Sequence, residues 1–432
     1  MNTEKTTISL LRGADTIGGS CIKISHGGES IILDYGMPLM ESGGAPVDIE
    51  SVKNPTIDNG VLLNVSADGR TPLAFIISHA HPDHFGLVDH VSDNIPVFLS
   101  EAAKKIISVG NVFYDETMRV KRVSSCSTYI PGKSFEIGPF KLTAFLMDHS
   151  AFGACSILVE VDGKKIFYTG DFRGHGRKRS VNDYVVKAVQ NPDVLLMEGT
   201  TLDDGHPATF PDEASVEQAL VDLINERNAP VFVSGAGSNI DRIVSLYRAA
   251  KRTGRVMVID IYQMYLLEQL KEFSNGLPPH KDDSLKVFYP KNQCDAVAKH
   301  LGPEVLYRYK DRQLKTDDID FTSSAYIFRL SNFISSKLCK RFIEQNVVPE
   351  LVYSMWQGYK EKQKIFTDIE KLVGNKWVYI HTSEHAYTKT LKKLSEDIKP
   401  KKLIPIHTVR GKEFSKHFKN VYLMSNGEEL DI

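Results

Sequence analysis

The chain has 432 residues, of which 42% are hydrophobic and 25% charged, more than one ordinary core accommodates and too apolar for a disordered polymer. Two folded domains are therefore expected. Its net charge of −1 excludes a global field that would draw in nucleic acid or an anionic membrane, although metal ions and a local basic rim can supply such attraction at a site.

From the N-terminus, short strands joined by turns are predicted at 8–12, 21–25 and 30–33, followed by a Gly/Pro-rich loop. Residues 73–78 form a continuous apolar run of strand length, as expected of a strand buried on both faces. Similar runs follow at 141–146, 156–161, 165–169 and 194–197. The texture changes in the loop 203–211, which holds Gly205, Pro207 and Pro211. Beyond it, strand-like runs at 230–234, 256–260, 325–330 and 351–354 alternate with helical patterns at 239–252, 262–273 and 361–373. Such alternation implies βα units and a mostly parallel sheet. Strand-like runs return at 377–380 and 403–406. This order predicts an α/β insert, residues 206–374, inside a discontinuous first domain made of residues 1–205 and 375–432.

No window approaches the apolar run of a membrane span, and the first thirty residues lack a basic segment leading into an apolar stretch. A cytoplasmic protein without a membrane partner is expected. Cys21, Cys126, Cys155, Cys294 and Cys339 are scattered and never form a C-x-x-C pair, which argues against a cysteine zinc site or a disulfide framework and for reduced thiols.

The strongest chemical signal is His79-Ala80-His81-Pro82-Asp83-His84, directly after the apolar run at 73–78. With 14 histidines in 432 residues, this pattern should arise by chance in about one such chain in a thousand, so a ligand role outweighs an incidental polar loop. Imidazole and carboxylate are ligands suited to zinc. Single residues elsewhere share the same position at a strand end: His149, Asp171, Glu198, His385 and His407. One histidine after a strand is more often a capped surface residue. Five such coincidences favour a site at the edge where open α/β sheets build them. Two zinc ions a few ångströms apart can hold a bridging hydroxide while clamping the oxygens of an in-line displacement. That needs about six or seven nitrogen and oxygen ligands, one a bridging carboxylate. His79, His81, Asp83, His84, His149, Asp171 and His407 supply them. Glu198 and His385 are then left as an acid–base pair, the carboxylate holding a protonated imidazole toward the leaving oxygen.

These motifs, with Met147-Asp148-His149-Ser150 and Thr169-Gly170-Asp171-Phe172, resemble those of the metallo-β-lactamase superfamily. Met197-Glu198-Gly199-Thr200, His381-Thr382-Ser383-Glu384-His385-Ala386 and Ile404-Pro405-Ile406-His407 resemble motifs A, B and C of its β-CASP branch, which contains ribonuclease J-like and messenger-RNA 3′-end-processing nucleases. Segments 234–242 and 354–359 are similar to parts of the branch's insert. The resemblance implies an α/β fold, a metallo-β-lactamase αββα sandwich with an inserted α/β β-CASP domain. It implies a metal-dependent phosphodiesterase that uses a di-zinc-bound hydroxide with a histidine general acid, manganese being an alternative metal. His79, His81 and His149 would hold one zinc, and Asp83, His84 and His407 the other, with Asp171 bridging. Asp83 thus counts among both the ligands and the catalytic residues. His385 would be the general acid, oriented by Glu198, and Ser383 would hold a phosphate of the substrate. Glu384 stands where the branch usually has glycine, and Gly199 where it often has serine.

RNA is the expected partner, because RNA-acting members of the branch carry histidine at motif C, as His407 does here, where DNA-acting members typically carry valine. A homo-oligomer is compatible with the sequence. The alternatives are a DNA nuclease of the same branch, a small-molecule hydrolase of the superfamily such as a lactonase or thioesterase, and a catalytically dead scaffold, whose signature of missing ligands is not met. Among weaker features, Gly235 and Gly237 lack the third glycine of a dinucleotide-binding turn, so a strand-to-helix turn capped near Asn239 is expected. Arg173, Arg177, Lys178 and Arg179 are open to two readings, a lining of the active-site mouth and solvated surface charge. Asp34 resembles a structural aspartate of the fold and stays off the ligand set. His26, His90, His175, His206, His280, His300 and His417 have no supporting context.

Overall fold

The computed structural model describes residues 5–39, 47–203, 209–361 and 363–432. Two compact units are present: Met1–Ser108, Asp115–His206 and Glu384–Ile432 in the first, Val109–Tyr114 and Pro207–Ser383 in the second. The boundary expected between 205 and 206, and His206 itself, lie outside the described residues.

In the first unit, β1 (Thr6–Arg12), β2 (Cys21–His26), β3 (Glu29–Leu33), β4 (Ala74–Ile76), β5 (Val97–Ser100) and β6 (Ser127–Tyr129) lie side by side in that order. Pairing is antiparallel from β1 to β3 and parallel from β3 to β6. A second sheet begins with β7 (Ser134–Ile137), β8 (Phe140–Leu146), β9 (Cys155–Val161) and β10 (Lys164–Tyr168), joined antiparallel, and continues into β11 (Val194–Glu198), parallel to β10.

The continuous apolar runs have a direct explanation, since side chains alternate across a strand and both faces of this sheet are covered. Leu142, Ile157, Val159, Ile166 and Leu196 meet Ile8, Ile22, Ile31 and Ile76 of the first sheet in one buried cluster. Their neighbours Phe145, Leu158, Phe167 and Leu195 point the other way. They pack with Val185 of the helix Ser180–Ala188 and with Leu391, Leu394 and Ile398 of the helix Thr388–Ile398.

The second unit holds β12 (Val231–Ser234), β13 (Val256–Asp260), β14 (Leu285–Phe288), β15 (Tyr326–Arg329), β16 (Glu350–Tyr353) and β17 (Val378–Tyr379). They form a wholly parallel sheet in the order β14-β13-β15-β12-β16-β17. Three of its helices begin where side chains cap them: Asp212 accepts from Ser215 N–H, Asn239 from Arg242 N–H and Asp260 from Gln263 N–H. The turn after β12 is therefore the capped strand-to-helix turn expected from Asn239. The chain then returns to the first unit, where β18 (Lys402–Ile406) lies parallel to β11 and β19 (Glu429–Asp431) antiparallel to β1.

The run at 377–380 differs from expectation. It contributes β17, which extends the parallel sheet of the second unit, because Trp377 donates its indole N–H to Phe366 O and joins that unit's apolar cluster. The helix predicted over 361–373 starts at Lys364, after an extended Gln363. Among the described residues, no helix is long and apolar enough to cross a membrane.

Candidate metal centre and acid–base pair

The chemistry-bearing side chains of the first unit gather at the strand ends on one edge. His79, His81, Asp83 and His84 follow β4, His149 follows β8, Asp171 follows β10 across Gly170, Glu198 ends β11, and His407 directly follows β18. The histidine motif turns into a short helix at Pro82, a residue pre-set for a first helical position. Its backbone is pinned from outside: Tyr35 N–H donates to His84 O (2.9 Å), Met37 N–H to Pro82 O (2.9 Å) and Gly19 N–H to Asp83 O (3.0 Å). The approach is so close that a Cβ on Gly36 would sit 1.7 Å from Asp83 O.

Three groups of possible ligands share Asp171: His79, His81 and His149 in the first, Asp83, His84 and His407 in the second, and Glu198, His385 and His407 in the third, each with its ligand atoms within 4.8 Å of one another. In the first, His81 Nδ1 lies 3.2 Å from both His79 Nε2 and His149 Nε2, and His79 Nε2 is 3.7 Å from Asp171 Oδ2. In the second, His84 Nε2 is 3.1 Å from Asp171 Oδ2, and His407 Nε2 is 3.2 Å from Asp83 Oδ2. Adjoining both, His385 Nδ1 lies 3.2 Å from Glu198 Oε2 and 3.8 Å from Asp171 Oδ2. The structure thus brings together His79, His81, Asp83, His84, His149, Asp171, Glu198, His385 and His407. Ser383 lies in the second unit and is half-buried.

Burial, reinforced by neighbouring imidazoles, pushes His79 and His149 well below the ordinary histidine range, and burial lowers His81. Neutral imidazole is the ligating form. Burial would lower His84 too, but the carboxylates of Asp171, Asp83 and Asp34 outweigh it and raise His84 well above its usual value. Burial opposes ionisation of Asp83, yet His84 and His407 bring it down to about 2. The His385 ring is lowered by burial and raised more strongly by Glu198 and Asp171, to about 9.

The first two groups fit a pair of divalent cations. Asp171 Oδ1 is buried and accepts no hydrogen bond among the described residues, an anionic oxygen whose desolvation needs a compensating charge. Facing it are imidazole nitrogens and a second carboxylate, the donor set of zinc.

Residues behind the candidate ligands fix their orientation. Asp34 accepts from Ser78 N–H (2.6 Å), Ser78 Oγ–H (2.7 Å), Tyr168 O–H (2.5 Å) and His84 Nδ1–H (2.7 Å), so His84 Nε2 is left to face Asp171. Asp34 thus has the structural role its resemblance implied. His149 Nδ1–H donates to Glu384 O at 2.8 Å, a contact that any residue's carbonyl can make. Thr200 Oγ lies 2.8 Å from His407 Nδ1, and Phe172 N–H donates to Glu198 Oε1 at 3.0 Å. Ser78, Tyr168 and Thr200 carry no role in the sequence reading. The only signal for Thr200 was its place in motif A, and Ser78 and Tyr168 sit inside apolar runs. Arg173 differs from the mouth-lining reading, since it is fully buried beside Asp148. Lys178 donates to His149 O at 2.9 Å.

A model of the β-lactamase superfamily domain matches residues 62–231, a stretch that contains His79 to Glu198 and stops before His385 and His407. Ribonuclease J of Helicobacter pylori (strain B128) is 23% identical over 441 residues, covering 98% of this chain and 60% of that protein. Endoribonuclease YSH1 of Kluyveromyces lactis is 23% identical over 349 residues, covering 75% of this chain and 41% of that protein. The chain therefore spans 60% of the length of the ribonuclease J it matches. A crystal structure of a protein of unknown function from Enterococcus faecalis V583 shares the fold, with a TM-score of 0.75 at 20% identity, covering 99% of this chain and all of that one. Residues 62–231 thus match the β-lactamase superfamily domain, and nearly the whole chain is similar to ribonuclease J.

Proposed function

We propose that the chain is a metal-dependent phosphodiesterase that cleaves RNA, with two zinc ions as its metals and manganese as a substitute. The observation that carries this reading is the shared Asp171: two ligand groups meet on one carboxylate, with the His385–Glu198 pair beside it. His79, His81 and His149 would hold one ion and Asp83, His84 and His407 the other, Asp171 serving both. When bound, such a pair supplies a water-derived nucleophile at neutral pH and neutralises charge on a transferring phosphoryl group. The protein's own part is proton management. Glu198 holds His385 through Nδ1, which leaves Nε2 to deliver a proton to the leaving oxygen. Ser383 is assigned to a substrate phosphate. The names of the matched relatives support RNA as the substrate class. Free cysteines suit a reducing compartment, so we place the activity in the cytoplasm.

The test is incubation of purified protein with end-labelled single-stranded RNA and matched DNA, each with a 5′-phosphate or a 5′-hydroxyl. A ladder from RNA that disappears in His81→Ala is expected. Equal or faster cutting of DNA would move the protein to the DNA nucleases. Turnover of a lactone or thioester without cleavage of either strand would move it to the small-molecule hydrolases.

A further inference from the structure

His149 and Asp171 stand on two separate loops, leaving β8 and β10, and these loops are fastened to each other one and two residues from the ligands. Arg173 N–H donates to Asp148 O at 2.6 Å, and the Arg173 guanidinium Nε lies 3.8 Å from Asp148 Oδ1. Asn182 closes the brace: its carbonyl accepts from Asp148 N–H (3.0 Å) and its amide donates to Arg173 O (2.7 Å). Gly176 N–H donates to Asp148 Oδ2 at 2.8 Å. Only glycine permits that approach, because a Cβ there would sit 2.2 Å from Asp148 Oδ1 and 2.6 Å from Arg173 Nε.

Asp148 and Arg173 are both 0% exposed. A charged pair taken wholly out of water is weak evidence for stability, since well-packed apolar residues often serve as well. What such a pair does supply is a fixed geometry, and here the fixed elements are the two loops that carry ligands. We propose that Asp148 and Arg173 are positioning residues, a clamp that sets the separation of His149 from Asp171 and so governs metal occupancy of the His79, His81, His149 and Asp171 group. The clamp depends on the metal-centre reading above, but neither residue belongs to any of the ligand groups.

The experiment uses the full chain, with zinc as the probe and a chromophoric chelator as competitor, and needs no RNA. The double variant Asp148→Asn/Arg173→Met removes both charges of the pair together. One of its two zinc equivalents should bind about ten- to a hundredfold more weakly, the usual consequence of losing a group that orients a ligand, while the other keeps wild-type affinity. Asp148→Asn alone, nearly isosteric and able to accept from Gly176 N–H, should shift the same equivalent by a smaller factor. Arg173→Lys, which keeps the charge, should bind more tightly than Arg173→Met. Wild-type affinity for both equivalents in the double variant and in Asp148→Asn overturns the clamp, and so does a lowered melting temperature with both affinities intact. A wild-type protein that fails to bind two equivalents removes the metal centre itself, an outcome visible before any variant is made.

Discussion

Asp34→Asn replaces one oxygen of a carboxylate that accepts from four donors with an amide NH2 group. Three donors converge on Oδ2: Ser78 Oγ–H, Tyr168 O–H and His84 Nδ1–H, at 2.7, 2.5 and 2.7 Å. The fourth, Ser78 N–H, meets Oδ1 at 2.6 Å. If the amide oxygen takes the Oδ2 position, the new NH2 faces Ser78 N–H, and two donors oppose each other inside the fold. If it takes the Oδ1 position, the NH2 faces His84, whose ring must accept through Nδ1 and carry its proton on Nε2. That tautomer removes the lone pair directed at Asp171 and the second ligand group. The first orientation leaves a buried donor unsatisfied, at about 1–3 kcal/mol of stability. The second weakens one metal site about ten- to a hundredfold, roughly 1.4–2.8 kcal/mol. Zinc titration against a chelator separates the two, and the expected result is one equivalent weakened within that range and one unchanged. Wild-type affinity for both equivalents together with wild-type stability would refute the role given to Asp34.

His385→Ala should retain both metals and its fold while turnover falls about a hundred- to ten-thousandfold; release of a metal, seen by elemental analysis, would make His385 a ligand instead. Thr200→Val removes the hydroxyl 2.8 Å from His407 Nδ1 and should weaken the group containing Asp83, His84 and His407 by about tenfold, read by the same titration. In the second unit, Arg242→Met strands Glu213, which lies 3.1 Å from Arg242 with both side chains buried. It should cost about 3–5 kcal/mol in chemical denaturation and leave zinc stoichiometry unchanged, whereas loss of zinc in the folded variant would contradict a purely structural pair. The salt dependence of RNA binding should be shallow, because a net charge of −1 leaves only local phosphate contacts to release counterions. A slope as steep as that of a strongly basic binder would point to an extended electrostatic track.

The candidate ligand set was legible because every member announces itself locally. His79 to His84 are contiguous, and His149, Asp171 and His407 each stand just past a run that only a buried strand explains. The layers were legible for the same reason, since Ile157 and Val159 against Leu158 read as one apolar block until the two covered faces separate them. What the sequence concealed is contact across distance. Tyr168 reaches Asp34 over 134 residues, and Thr200 reaches His407 over 207. No local pattern marks such a meeting, and Tyr168 in particular reads as one more apolar strand residue. Arg173 was ambiguous because a short basic run looks alike whether solvated or buried, and only its neighbour Asp148, brought in from another loop, decides between the two. β17 moved to the second unit because Trp377 finds its indole partner there, which its own apolar run did not specify.

The most direct measurement is RNA cleavage by metal-free protein as zinc is added in measured equivalents, with matched single-stranded DNA alongside. Cleavage of RNA should be absent without metal, rise as the second equivalent binds, and outpace cleavage of DNA throughout. Full RNA cleavage by the metal-free chain, or no cleavage of RNA once both equivalents are bound, would contradict a two-metal ribonuclease built on Asp171.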